Sequence, residues 1–96
     1  MNNVICPFEG VFATGRVFAT PGAREKIPAG ELIAAILRHA QGDWGEVCPD
    51  DWQANEEALV GGARLLSAYV SSAGQKFWII TEADRSATTM LLPDEY

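Results

Sequence analysis

Lys76-Phe77-Trp78-Ile79-Ile80-Thr81-Glu82 decides the fold class. The run is rich in β-branched, aromatic and aliphatic residues and reads as a strand. Arg64 to Ser71 and Thr88 to Leu92 share its character, and short polar turns separate the three, which predicts a C-terminal meander of antiparallel strands. Strand alternation sets Phe77, Ile79 and Thr81 against Trp78 and Ile80. Neither set is purely polar, so both faces of the sheet are expected to be covered, one by helices and the other by a partner or by the N-terminal segment.

Upstream the rhythm changes to that of helices. From Pro28 a long helix is signalled by Glu31 in its first turn, by the stripe Leu32, Ile33, Ile36, Leu37 and Ala40, and by Arg38 and His39 at its cationic end before Gly42. After the turn-rich Gly42-Asp43-Trp44-Gly45-Glu46, Pro49-Asp50 opens a second helix. Here Asp50 as N-cap and Gln53 make a capping-box pattern, Trp52 and Leu59 share a buried side, and Gly61-Gly62 ends the helix. Thr20-Pro21 predicts a further short helix that Pro28 interrupts.

Val11-Phe12-Ala13-Thr14 recurs as Val17-Phe18-Ala19-Thr20 across Gly15-Arg16, a spacing that suits two strands paired by a type II′ hairpin. Residues 1–11 read as a loosely ordered lead-in, broken by Asn2-Asn3, Pro7 and Gly10. The expectation is one α+β domain over 12–96, with two main helices packed on a three- to four-stranded antiparallel sheet.

Thirteen acidic residues against seven basic ones give a formal net charge of -6. Such a chain repels phosphate backbones, so direct nucleic-acid binding is disfavoured, while a basic protein surface, including the nucleic-acid groove of another protein, suits it. Cys6 and Cys48 match no zinc-site spacing, and two cysteines without a secretory signal read as free thiols, so a cytoplasmic protein is expected. No membrane segment, metal or cofactor is expected.

Few residues carry candidate chemistry. His39 is the single histidine and lies near Asp43, an arrangement open to acid-base or metal chemistry, although a histidine in a last helical turn is favoured by the helix dipole alone. Glu82, Asp84 and Arg85 could converge as in divalent-metal or phosphoryl sites, against the ordinary reading of a solvated hairpin loop. Nucleophile elbows and phosphate-binding loops are both absent. Three tryptophans are a heavy load for this length: Trp52 and Trp78 are expected in the core, and Trp44 serves equally as core or as an interface anchor.

Ala19-Thr20-Pro21-Gly22-Ala23, His39 with Gly42-Asp43-Trp44-Gly45, Asn55, Arg64-Leu65-Leu66-Ser67-Ala68-Tyr69, and Trp78-Ile79-Ile80-Thr81-Glu82-Ala83-Asp84-Arg85-Ser86 form a further pattern, completed by Thr88-Thr89 and Leu92-Pro93. From about Phe12 to Tyr96 the chain resembles a family of short bacterial proteins of plasmids and integrative elements, labelled plasmid-related protein or type I restriction endonuclease subunit M. The residues before Phe12 depart from that family's usual start. A methyltransferase subunit needs a far longer nucleotide-binding domain with a glycine-rich loop, so the resemblance implies only a neighbourhood of mobile elements and host defence.

The expected function is a non-enzymatic interaction or inhibitor module acting on a defence or nucleic-acid-handling complex, with counter-defence such as anti-restriction or anti-CRISPR activity in view. Asp43, Trp44, Glu82 and Asp84 are the expected partner-binding residues. One alternative is a small metal-assisted hydrolase or nuclease using His39, Asp43, Glu82, Asp84 and Arg85. The other is a structural homodimer pairing through its sheet or its Trp44 surface.

Overall fold

The computed structural model of the chain describes residues 10–96. Most of the expected lead-in lies outside the described residues, as does Cys6. The elements in chain order are strand β1 (Arg16–Ala19), helices α1 (Pro21–Lys26), α2 (Ala29–Ala40) and α3 (Pro49–Gly61), strands β2 (Leu65–Val70), β3 (Lys76–Thr81) and β4 (Ala87–Leu91), and a 3₁₀ turn over Pro93–Glu95. The chain is α+β, and among the described residues no helix is long and apolar enough to cross a membrane.

The sheet order is β1-β4-β3-β2. The meander β2-β3-β4 is antiparallel as expected, with Ile79 opposite both Ser67 and Met90. β1 corrects the expectation twice. It pairs parallel to β4, Val17 beside Thr88, so the four-stranded sheet is mixed and its first strand precedes the helices. The hairpin of the echo does not form, because its first copy is claimed elsewhere: Val11 N–H donates to the Ala40 carbonyl at 2.9 Å and the Phe12 ring sits edge-on to His39. Gly15 takes φ +65° and passes so close to the Ser86 backbone that a Cβ there would collide.

Local chemistry explains the helix boundaries. Thr20 caps α1 by accepting from Ala23 N–H at 3.2 Å, and Pro21 follows in the first helical position. The α2 carboxylate Glu31 ties the helix to the β2–β3 turn, accepting from Ser72 N–H at 2.9 Å and Ser72 Oγ at 2.6 Å. Its buried face is Leu32, Ala35, Ile36, His39 and Ala40, whereas Ile33, expected in the stripe, is exposed. α3 starts earlier than Asp50: Cys48 is the N-cap, it makes no side-chain cap bond, and Pro49 opens the helix. Gly62 at φ 80° ends α3 as expected.

The helices cover one face of the sheet. Strand register places Leu65, Ser67, Tyr69, Phe77, Ile79, Thr81, Thr88 and Met90 on this inner face. Ile27, Leu32, Ala35 and Ile36 pack on its Tyr69–Phe77–Ile79–Met90 part, and Trp44 and Ala58 pack on Leu65. Burial of this apolar surface drives the two layers together. The outer face carries Leu66, Ala68, Val70, Trp78, Ile80, Thr89, Leu91 and Phe18, and among the described residues no α-helix covers it. Part of it is covered by the segment after Leu92, whose Tyr96 ring meets Trp78 edge-on at 5.7 Å between centroids.

Candidate functional site

His39 reaches the inner face of the sheet from the last turn of α2 and is wholly buried. Its Nδ1 is 2.5 Å from Ser67 Oγ and its Nε2 is 2.8 Å from Thr81 Oγ1. The bonds beyond fix every proton. Thr88 Oγ1 donates to the Thr14 carbonyl at 2.6 Å, so it can only accept from Thr81 Oγ1, 2.7 Å away. Thr81 then has no hydrogen left for His39. The imidazole must therefore carry its proton on Nε2 and accept at Nδ1 from Ser67. Burial, with the Arg85 cation adding to it, lowers the His39 pKa to about 4, so the ring is neutral at pH 7.

A serine hydroxyl on the acceptor nitrogen of a histidine is the start of a nucleophile and its base. Here it is sealed. Ser67 has no exposed surface, and the His39 ring is flanked edge-on by Phe12 at 5.2 Å and Trp44 at 5.6 Å between centroids. No substrate atom can approach Ser67 Oγ without dismantling the core, so the chain of hydroxyls serves to lock α2 to three elements of the sheet layer. The sequence did not single out Ser67, Thr81 and Thr88. Their only advance signal is that they occupy inner-face positions of strands, where a hydroxyl needs a partner.

The other expected site residues do not join His39. Asp43 turns away to Arg38, with Oδ2 2.8 Å from Nε and Oδ1 3.3 Å from Nη2, and Oδ1 also accepts from Gly45 N–H at 3.2 Å. The Arg38 bond holds its carboxyl below the usual range. Asp84 closes the β3–β4 turn by accepting from Ser86 N–H at 3.0 Å, and the Ser86 side chain together with that N–H lowers its pKa likewise. Arg85, at φ 61°, reaches back to α3 and donates to the Ala63 carbonyl at 2.7 Å and the Ala58 carbonyl at 2.9 Å, capping the helix end. Glu82 lies exposed, 3.9 Å from Arg64 Nε. Among the described residues no three His, Cys, Asp or Glu side chains gather where they could hold a metal ion.

Of the tryptophans, Trp44 takes the core place left open for it and Trp52 departs from its expected one. Trp44 is fully buried, donates from Nε1 to Glu56 at 2.8 Å and stacks on Phe12, so its indole is a core group and not a contact surface. Trp52, expected in the core, is 37% exposed on α3. The positions of α3 that turn inward are Asn55 and Ala58, with Leu59 half-buried beside them, and Trp52 lies in the first turn beyond the reach of that contact.

Asn55 closes the edge of the sheet. Its amide donates to the Leu66 carbonyl at 2.7 Å and accepts from Leu66 N–H at 3.0 Å, as a neighbouring strand would. Two residues along, Ala68 N–H donates to the Trp44 carbonyl at 3.1 Å and its carbonyl accepts from Glu46 N–H at 2.7 Å. Gly45, at φ +75°, lies against Ala68 where a Cβ would collide. The turn Gly42-Asp43-Trp44-Gly45 thus plugs an indole into the core and pairs with β2.

The accessible helix with the densest charge is α3. Asp50, Asp51, Trp52, Gln53, Ala54, Glu56, Glu57 and Val60 are all exposed, and the helix contains four carboxylates and no cation. Comparison of the chain with protein-family models, with curated proteins and with solved structures yields no match.

Proposed function

We propose that this protein is a non-enzymatic interaction module of mobile genetic elements that presents α3 to a basic surface on a defence or nucleic-acid-handling protein. The observation carrying this reading is the exposed side of α3, where carboxylates flank the accessible indole of Trp52. An acidic helix with one large aromatic anchor matches the charge of a groove built for nucleic acid, and the aromatic supplies the desolvated contact that charge alone lacks. The groups that could perform chemistry are spent on structural bonds, which favours binding over turnover. The resemblance to plasmid and integrative-element proteins supplies the setting, and blocking a host complex by occupying its groove is the mode of action.

The test is affinity capture from host lysate with wild type and with an Asp50→Asn, Asp51→Asn, Trp52→Ala variant, which leaves Glu56 and its bond to Trp44 intact. Wild type should retain a nucleic-acid-handling protein that duplex DNA displaces, and the variant should lose it. Equal retention by both proteins, or indifference to DNA, would remove the reading.

A further inference from the structure

We propose that β1 is a self-pairing edge, where the β1 strands of two copies of this chain join antiparallel about a two-fold axis at Phe18 and make one continuous sheet. Arg16 and Thr20 turn their N–H groups toward β4, donating to the Ser86 and Met90 carbonyls at 3.0 Å. Backbone groups alternate in direction along a strand, so the N–H and C=O of Val17 and Ala19 point the other way. Among the described residues no hydrogen-bond partner faces them. An identical strand run antiparallel satisfies all of these groups at once. With Val17 opposite Ala19 of the second copy, each such pair exchanges both its hydrogen bonds, and the register sets Phe18 opposite Phe18 and Arg16 opposite Thr20.

The side chains select a second copy over any other strand. Arg16, Phe18 and Thr20 share the outer face by alternation, and Phe18 is 46% exposed with the Arg16 guanidinium 5.6 Å from its ring centroid. Across the axis the two rings form a non-hydrogen-bonded pair, the closer kind, with about 4.5 Å between Cα atoms. Arg16 has no carboxylate partner among the described residues of its own chain. Thr20 has one held in place, because its Oγ1 donates to Glu95 Oε1, and Oε2 of the same carboxylate accepts from Gly22 N–H at 3.1 Å. The register therefore brings the unpaired cation of each copy beside the anchored carboxylate of the other, once on either side of the Phe18 pair. A strand without that cation and carboxylate gains the backbone bonds alone. This pairing is independent of the role given to α3, which holds the opposite edge of the sheet through Asn55 and stays exposed in both copies.

Sedimentation velocity over about a hundredfold range of concentration tests it. The weight-average mass should climb from 10.4 kDa toward twice that value. Val17→Pro removes an edge N–H that no bond within the chain uses, so it should keep the circular dichroism and weaken the dimer at least about tenfold. Arg16→Glu should do the same by setting a like charge against Glu95. Val70→Asp, at an exposed position of β2 on the far side of the sheet, should leave the dimer unchanged. Cysteine trapping under mild oxidation, in a Cys6→Ser, Cys48→Ser background, reads the register. Phe18→Cys should give a disulfide-linked dimer, because its two Cα atoms lie within bridging distance, whereas the two copies of Arg16→Cys lie on the order of 14 Å apart and should not. A monomer at every concentration would overturn the proposal, as would a dimer that tolerates Val17→Pro or Arg16→Glu, or trapping that does not prefer Phe18→Cys to Arg16→Cys.

Discussion

His39 shows how one side chain can look catalytic in a sequence and be structural in the fold. Its proton is assigned by the bonds of its neighbours, and its neutrality has a measurable consequence. The folded pKa of about 4 lies below the usual value near 6.5, so between these the unfolded chain binds the extra proton. Stability from this group is complete above about pH 6.5 and falls with pH down to about 4, a loss on the order of 3 kcal/mol. Glu31 and Glu95, and then Asp43 and Asp84, whose pKa values are lowered by their hydrogen bonds, lose their contributions as the pH falls below their ordinary values of 4.5 and 3.8. Denaturation midpoints should therefore slope between about pH 6.5 and 5 in wild type, above the range where the carboxylates titrate, and His39→Gln should abolish that part of the slope while lowering stability at pH 7. A slope that persists in His39→Gln would place the titrating group elsewhere. The sequence located His39 at the helix end correctly, but which hydroxyls would meet it depends on strand register across 28 and 42 residues, which no local pattern encodes.

The elements were legible where their signals are local and obscure where two signals compete. Thr20-Pro21 marked α1, Gly42 and Gly62 marked the ends of α2 and α3, and alternation marked β2, β3 and β4. For α3, an Asp with a Gln three residues on outweighed the proline before it, although Pro49 fits the first helical position and so assigns the cap to Cys48. A cysteine cannot accept a cap bond well. Cys48→Ser should stabilise the protein by about 0.5–1 kcal/mol, seen as a higher urea midpoint with unchanged slope. Asn55 is the opposite case, a polar side chain that sequence patterning gives no reason to bury. Asn55→Leu leaves the Leu66 N–H and carbonyl without their partner and should cost about 2–4 kcal/mol, measured as the loss in unfolding free energy. A neutral result would mean that water replaces the amide.

At the scale of the molecule, the α+β class and the order of helices before meander followed from periodicity, but the mixed sheet did not. A strand of four residues carries little pattern, and β1 finds its place through β4, about seventy residues later, once three helices have carried the chain across the inner face. The expected core was similarly distorted: the inner face holds its apolar clusters on either side of a hydroxyl network, and the outer face stays partly open. The plug on β2 has a consequence for the fate of the folded chain. Sheets that end in two bare edges can recruit strand after strand without limit, and that is the geometry of fibre growth. Among the described residues this one has a single bare edge, along Val17 and Ala19 of β1, because Asn55 and the Trp44–Glu46 segment occupy the other. Edge-to-edge stacking of intact molecules through these edges therefore stops at two, and the folded sheet gives a filament no second end to grow from.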